Sequence, residues 1–241
     1  MVPLPPPGSY LLCATPRTGS TFLCDLLTST GVLGTPESYF REPDEVEWAT
    51  KFGVPTCGAN ARNYGRFIRA VISAGTTDNG VFAARVMWGT LDHMLRGLRQ
   101  PACTSDRDVL ERALGPLTFV HLSRENVLAQ AVSWARAEQT GYWHEGDTSV
   151  HRPEPDVHQM TVLARTIERH DAAWNSWFDN HGISPHRITY EQLVRHPRTI
   201  VAGIAAAMDV GIPASWTPES SHRKQADTNS AEWEDLLRAA L

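Results

Sequence analysis

Arg17 and Gly19 stand among hydroxyl side chains in one short stretch, Thr15-Pro-Arg-Thr-Gly-Ser-Thr21. Backbone N–H groups at a helix N-terminus, with the helix dipole behind them, attract anions. Gly19 lets a backbone approach such an anion closely, Arg17 supplies a forked cation, and Thr18, Ser20 and Thr21 offer hydroxyls. A second anion point lies in His121-Leu-Ser-Arg-Glu-Asn-Val-Leu-Ala-Gln-Ala-Val-Ser133, where Arg124 follows an apolar run and Ser133 falls on the next helical stretch. Together the two segments suit a ligand with two separated anionic groups. Each also has a plainer reading: a strand-to-helix turn with an ordinary N-cap, and an arginine satisfying helix carbonyls or a surface carboxylate.

Other chemistries fit less well. The loop lacks the G-x-x-x-x-G-K-(S/T) pattern and its phosphate-binding lysine, which argues against ordinary ATP or GTP chemistry. Thr18 stands where a hydrolase elbow needs its first glycine. Cys57 and Arg62 are one residue too close for a tyrosine-phosphatase loop. There is no H-E-x-x-H, and His144, His151 and His158 are separated by Pro153 and Pro155, so one helix cannot align them. No metal site is expected.

These residues need elements to hold them. Ser9–Thr15 reads as a buried strand, with a helix from Thr21 to Gly31 carrying Phe22, Leu23, Leu26 and Leu27. Gly34–Phe40 reads as loop and Glu42–Gly58 as mostly irregular. Ala61–Ser73 suits a helix, Gly80–Trp88 a second buried strand, and Thr90–Arg99 a short helix. Leu117–Ser123 is the clearest strand, followed by a helix with Val127, Ala131 and Trp134 on one face. Gly146–Asp156 reads as loop. Met160, Leu163, Ile167, Trp174, Trp177 and Phe178 make the apolar stripe of a long helix. A brief strand at His186–Tyr190, helix over Glu191–Met208, coil over Pro213–Asn229 and a capping box at Ser230-Ala-Glu-Trp233 complete the chain. Strands alternating with helices define one α/β domain over residues 1–241, a P-loop-like three-layer fold with a mostly parallel sheet, after a proline-rich lead at residues 1–8. In such sheets ligands sit outside the strand carboxyl ends, which would bring Arg17 and Arg124 to one crevice.

Composition narrows the partners. The 241 residues carry Lys+Arg 22 against Asp+Glu 27, a formal charge of −5, so no extended basic face for nucleic acid or anionic membrane is expected. A 41% hydrophobic and 20% charged chain is ordinary for a globular fold. The cysteines Cys13, Cys24, Cys57 and Cys103 show no paired spacing, and the start Met-Val-Pro-Leu-Pro-Pro-Pro-Gly has no basic or apolar leader region. No apolar run reaches the roughly 18 residues of a bilayer span. A cytoplasmic, soluble protein is expected.

In five segments, in order, the sequence resembles the bacterial trehalose sulfotransferase family of mycobacteria. Tyr10 through Leu23 is similar to its R-(S/T)-G-S-T loop, and Gly31-Val-Leu-Gly-Thr-Pro-Glu-Ser-Tyr-Phe40 to its G-V-x-G-x-P-x-E-(F/Y)-F segment. Val86-Met-Trp88, the stretch from Arg124 through Gln139-Thr140 and Trp143, and Lys224-Gln-Ala-Asp227 with Ser230 and Glu232-Trp233 supply the rest. The resemblance implies transfer of a sulfuryl group from PAPS (3′-phosphoadenosine 5′-phosphosulfate) to a hydroxyl, on a sugar, a glycolipid or another small molecule. It implies that Arg17, Thr18, Gly19, Ser20 and Thr21 bind the 5′-phosphosulfate, with Arg17 also catalytic, and that Arg124 and Ser133 bind the 3′-phosphate. Arg223 and Lys224 would close over the nucleotide. Relatives suggest a homodimer.

The family's proposed base is a glutamate in the G-x-P-x-E segment. Here Ser38 occupies the aligned position and Glu37 precedes it; Glu37 is the expected base because no other carboxylate lies so near. Trp88, Gln139 and Trp143 lie in or beside matched motifs and are expected to meet the acceptor or adenine. Trp174, Trp177 and Trp233 are expected to pack. Two other functions stay open: a nucleotide-binding protein that has lost its base, and an atypical small-molecule kinase.

Overall fold

The computed structural model describes residue 6 and residues 8–54, 61–141, 153–218 and 228–241. In chain order the elements are β1 (Gly8–Ala14), α1 (Ser20–Ser29), α2 (Glu42–Lys51), α3 (Ala61–Gly75), β2 (Val81–Met87), α4 (Trp88–Leu98) and α5 (Asp106–Leu114). There follow β3 (Leu117–Ser123), α6 (Val127–Thr140), α7 (Val157–Asn180), β4 (His186–Thr189), α8 (Tyr190–Arg195), α9 (Pro197–Ala207) and α10 (Thr228–Ala240). The strands form one four-stranded sheet in the order β2-β1-β3-β4, every pairing parallel.

Parallel strands covered on both faces read as continuous apolar runs, and β1 is one. Its pleat sends Leu11 and Cys13 into a cluster with residues of α3, α4, α5 and α7. Tyr10, Leu12 and Ala14 enter the opposite cluster, with residues of α1, α8 and α9. The α/β three-layer reading therefore holds. Because β1 lies between β2 and β3, its carboxyl end sits centrally, and the loop at Thr15–Gly19 leaves from the middle of the sheet.

Three local expectations change. Glu42–Gly58, read as irregular, contains α2: Pro43 falls in the first turn with Glu42, Asp44 and Glu45, and Lys51 in the last, so proline and charges complement the helix dipole. The helix expected over Glu191–Met208 breaks at His196 into α8 and α9, with Pro197 opening the second. The last helix already runs from Thr228, so Ser230 is inside it rather than its cap, and its Oγ accepts from Arg136 Nη1. The helix α5 had no counterpart in the sequence reading; Ser105 caps it, accepting from Asp108 N at 3.1 Å. Among the described residues no helix is long and apolar enough to cross a membrane.

Candidate active site

The loop is built as much from below as from its own residues. Trp174 of α7, fully buried, donates from Nε1 to Ala14 O at 3.1 Å. Gln130 of α6, also fully buried, donates from Nε2 to Thr15 Oγ1 at 2.9 Å and to Pro16 O at 2.7 Å. Asp171 lies near Thr15, and burial raises its carboxyl pKa to about 6. Thr18 Oγ1 turns inward and donates to Thr15 O at 2.9 Å, which leaves its backbone, not its hydroxyl, for a ligand.

Above this floor the chain adopts two left-handed residues, Arg17 at φ 65 and Gly19 at φ 78. A non-glycine residue there is uncommon and strained, and Arg17 is held by its neighbours: Arg124 Nη1 donates to its carbonyl at 3.3 Å. Gly19 is the N-cap of α1, whose first turn contains no acidic side chain, so its dipole and free N–H groups face the loop uncompensated.

Gly19 is required for a second reason. A Cβ built there would lie 2.7 Å from Tyr190 Cδ2 and 3.0 Å from Cε2. The Tyr190 ring thus packs on the glycine, and the Arg124 guanidinium lies over that ring, 4.6 Å from its centroid. Gly19→Ala should therefore cost about 1–2 kcal/mol for the backbone and about 1–3 kcal/mol for overpacking. The Tyr190→Ala double variant should recover only the second part. Denaturant midpoints of the three proteins check this; equal midpoints for Gly19→Ala and wild type would refute it.

Arg17 and Arg124 meet in this crevice. Arg17 Nε donates to Ser133 Oγ at 3.0 Å, bringing the two expected anion points into one cluster. Burial, and then the positive charge of Arg124, lower the Arg17 pKa; burial also lowers that of Arg124. The Nε of Arg124 is buried without a hydrogen-bond partner among the described residues. Two desolvated cations held together, one with an orphaned donor, form an environment that an anion relieves. A nucleotide carrying separated phosphate groups fits that donor set.

The Gly34–Phe40 segment, where a base is expected from the sequence, runs beside β2. Gly34, at φ 70, passes so close to β2 that a Cβ would fall 2.7 Å from Ala83 Cβ. Glu37 then bridges to Ala84 in parallel register, and Arg85 N donates to Glu37 O at 2.9 Å. The Glu37 carboxyl is half-buried, and desolvation raises its pKa against the opposing pull of Arg85; Asp25 raises it further. Ser38 accepts from Arg85 Nε at 2.9 Å. Glu37 and Ser38 thus both lie beside one arginine of β2.

Arg85 was not singled out by the sequence, although a lone arginine in the apolar run Gly80–Trp88 is its own signal: a buried charge in a strand needs partners. Tyr190 carried no comparable signal, whereas Gln130 stands in the family pattern that starts at Arg124. Trp88 opens α4, half-buried, with its ring edge-on to Trp174 at 5.1 Å. Both ends of the Gln139 amide are engaged, donating to Gln159 Oε1 at 2.9 Å and accepting from Glu154 N at 3.0 Å. Trp143, Arg223 and Lys224 lie outside the described residues. Among the described residues no group of three side chains is placed to hold a metal ion.

The sequence comparison gives the class to which this central parallel sheet, glycine-capped loop and neighbouring arginines belong: a sulfotransferase. The chain belongs to the Stf0 sulphotransferase family, whose sequence model matches residues 9–240. It is 30% identical over 258 residues to the trehalose 2-sulfotransferase of Mycobacterium tuberculosis (strain ATCC 35801 / TMC 107 / Erdman), covering 95% of this chain and 94% of that protein. It is 26% identical over 259 residues to the trehalose 2-sulfotransferase of Mycolicibacterium smegmatis, covering 96% and 95%. Among solved structures, the sulfotransferase domain from the curacin biosynthetic pathway superposes with a TM-score of 0.54 at 13% identity, over 95% of this chain and 82% of that one, a likeness of fold.

Proposed function

We propose that this enzyme transfers the sulfuryl group of PAPS to a hydroxyl of a carbohydrate or glycolipid acceptor, by in-line displacement with Glu37 as base. The observation that carries the reading is the Arg17–Arg124 pair, two half-buried cations in one crevice at the N-terminus of α1. The loop Arg17–Thr21 binds the 5′-phosphosulfate through backbone N–H groups, the Arg17 fork and the Ser20 and Thr21 hydroxyls. Arg124 and Ser133 bind the 3′-phosphate, with Arg223 and Lys224 as further contacts. PAPS supplies an activated sulfuryl group. The acceptor oxygen forms its bond to sulfur as the sulfur–oxygen bond to the 5′-phosphate breaks; the electron pair leaves on the phosphate and the hydroxyl proton passes to Glu37. Positioned donors and cations supply most of the rate.

A sugar hydroxyl is the favoured acceptor because the full-length relatives are trehalose 2-sulfotransferases. Trehalose is the first compound to assay, followed by a labelled-PAPS screen of sugars and glycolipids. Nucleotide binding without transfer is the second reading, favoured by Ser38 in place of a family glutamate.

Titration with the product PAP (adenosine 3′,5′-bisphosphate) tests the nucleotide half. Saturable binding is expected, and Arg124→Ala should weaken it about 10- to 150-fold, the loss of a charge-assisted contact. No saturable binding by the wild type, or unchanged binding by the variant, would refute the assignment.

A further inference from the structure

Arg85 lies where the two halves of the site meet, and the nucleotide-binding assignments leave it unused. It is only 9% exposed. Strand alternation explains its direction: Phe82 and Ala84 face the α3–α7 cluster, whereas Val81 and Ala83 face the α1 side, so Arg85 points to α1. There Nη1 donates to Thr21 Oγ1 at 2.8 Å and to Ser20 Oγ at 3.4 Å, and Nε donates to Ser38 Oγ at 2.9 Å. One planar group therefore touches both the donor loop and the acceptor-base segment.

A buried guanidinium ordinarily has a carboxylate close to it, because desolvating an unpaired charge is costly. Among the described residues Arg85 forms no ion pair, and its guanidinium bonds to the hydroxyls of Ser20, Thr21 and Ser38. No ion pair cancels the charge between Thr21 and Ser38; Glu37, whose ionised form Arg85 favours, acts on it from beyond hydrogen-bond reach. In an in-line transfer, the sulfuryl group travels between the donor loop and the acceptor oxygen near the base, and the negative charge on its oxygens needs a positioned cation.

We propose that Arg85 is the cation that hydrogen-bonds the oxygens of the sulfuryl group as it passes from donor to acceptor, and that through Ser38 it holds the base segment against the donor loop. The assignment rests on the sulfotransfer reading above and adds the residue that recognises the sulfuryl group itself rather than the nucleotide's phosphates.

PAP and PAPS differ by that sulfuryl group, so their separate affinities test the proposal without any acceptor. In Arg85→Met, PAPS affinity should fall about tenfold or more, the loss of a charge-assisted hydrogen bond, while PAP affinity stays within about twofold. Arg85→Lys should keep most of the preference. Should Arg85→Met not fold, Arg85→Gln carries the same expectation, because its amide can still bond Thr21 and Ser38 without the charge. Equal weakening toward both nucleotides, or an unchanged PAPS affinity, would overturn the role of Arg85 while leaving nucleotide binding in place. A wild type that binds neither nucleotide would overturn the underlying reading as well.

Discussion

Glu37→Gln should lower turnover by about 10²- to 10⁴-fold, the usual contribution of a positioned general base, with PAP affinity unchanged. The amide is nearly isosteric, keeps the backbone bridge to Ala84 and the bond from Arg85 N, and removes only the proton acceptor. The pH profile gives the same test a sign. A base works ionised, so kcat/KM rises with pH through its pKa. Desolvation raises the Glu37 pKa, so the acid limb should lie above the ordinary carboxylate range. In the glutamine variant that limb should vanish from the residual rate. Near-normal turnover in Glu37→Gln would remove it from the mechanism and leave base duty to another group.

Trp174→Ala should cost about 3–5 kcal/mol of stability, the range for deleting a large buried aromatic. Trp174 is fully buried, stacked on Phe178 at 5.4 Å and edge-on to Trp88 and Trp177 at 5.1 and 5.9 Å. Trp174→Phe separates packing from hydrogen bonding. It retains an aromatic ring but leaves the Ala14 carbonyl without the Nε1 donor, so it should cost about 1–3 kcal/mol. Because Ala14 precedes the anion loop, the phenylalanine variant should also weaken PAP binding while remaining folded. Chemical denaturation and PAP titration of both variants check this. Phenylalanine matching wild type in both measurements would show that the hydrogen bond to Ala14 does not matter.

The sheet was legible in the sequence because buried parallel strands are apolar runs, and β1, β2 and β3 fall where such runs occur. The stripe Met160–Phe178 gave α7 for the same reason. What periodicity could not provide was α2, where Pro43 and a run of charges mask a helix that proline and acids at its start in fact favour. The anion loop and Arg124 were legible as residue types in a suitable place. Their joining through Ser133 was not, because Ser133 reaches Arg17 Nε from 116 positions away. Arg85 was passed over for its apolar neighbours, and Glu37 was found only by a resemblance that its own position breaks. Tyr190 is invisible until a Cβ is placed on Gly19. Such residues are defined by contacts distant in sequence, which no local pattern encodes.

The central place of β1 also governs how the chain reaches this state. Its amino end is fastened by Ser9 Oγ to Leu114 O, 105 positions away, and its loop by Gln130 to Thr15, 115 positions away. Closing such long loops precedes any reward from the contacts they make, so a parallel sheet of this kind folds slowly. During synthesis the first strand leaves the ribosome long before its partner, as an apolar segment without a neighbour on either edge. The crevice for an anion comes into being only with the completed sheet, which makes nucleotide affinity a reporter of correct strand order.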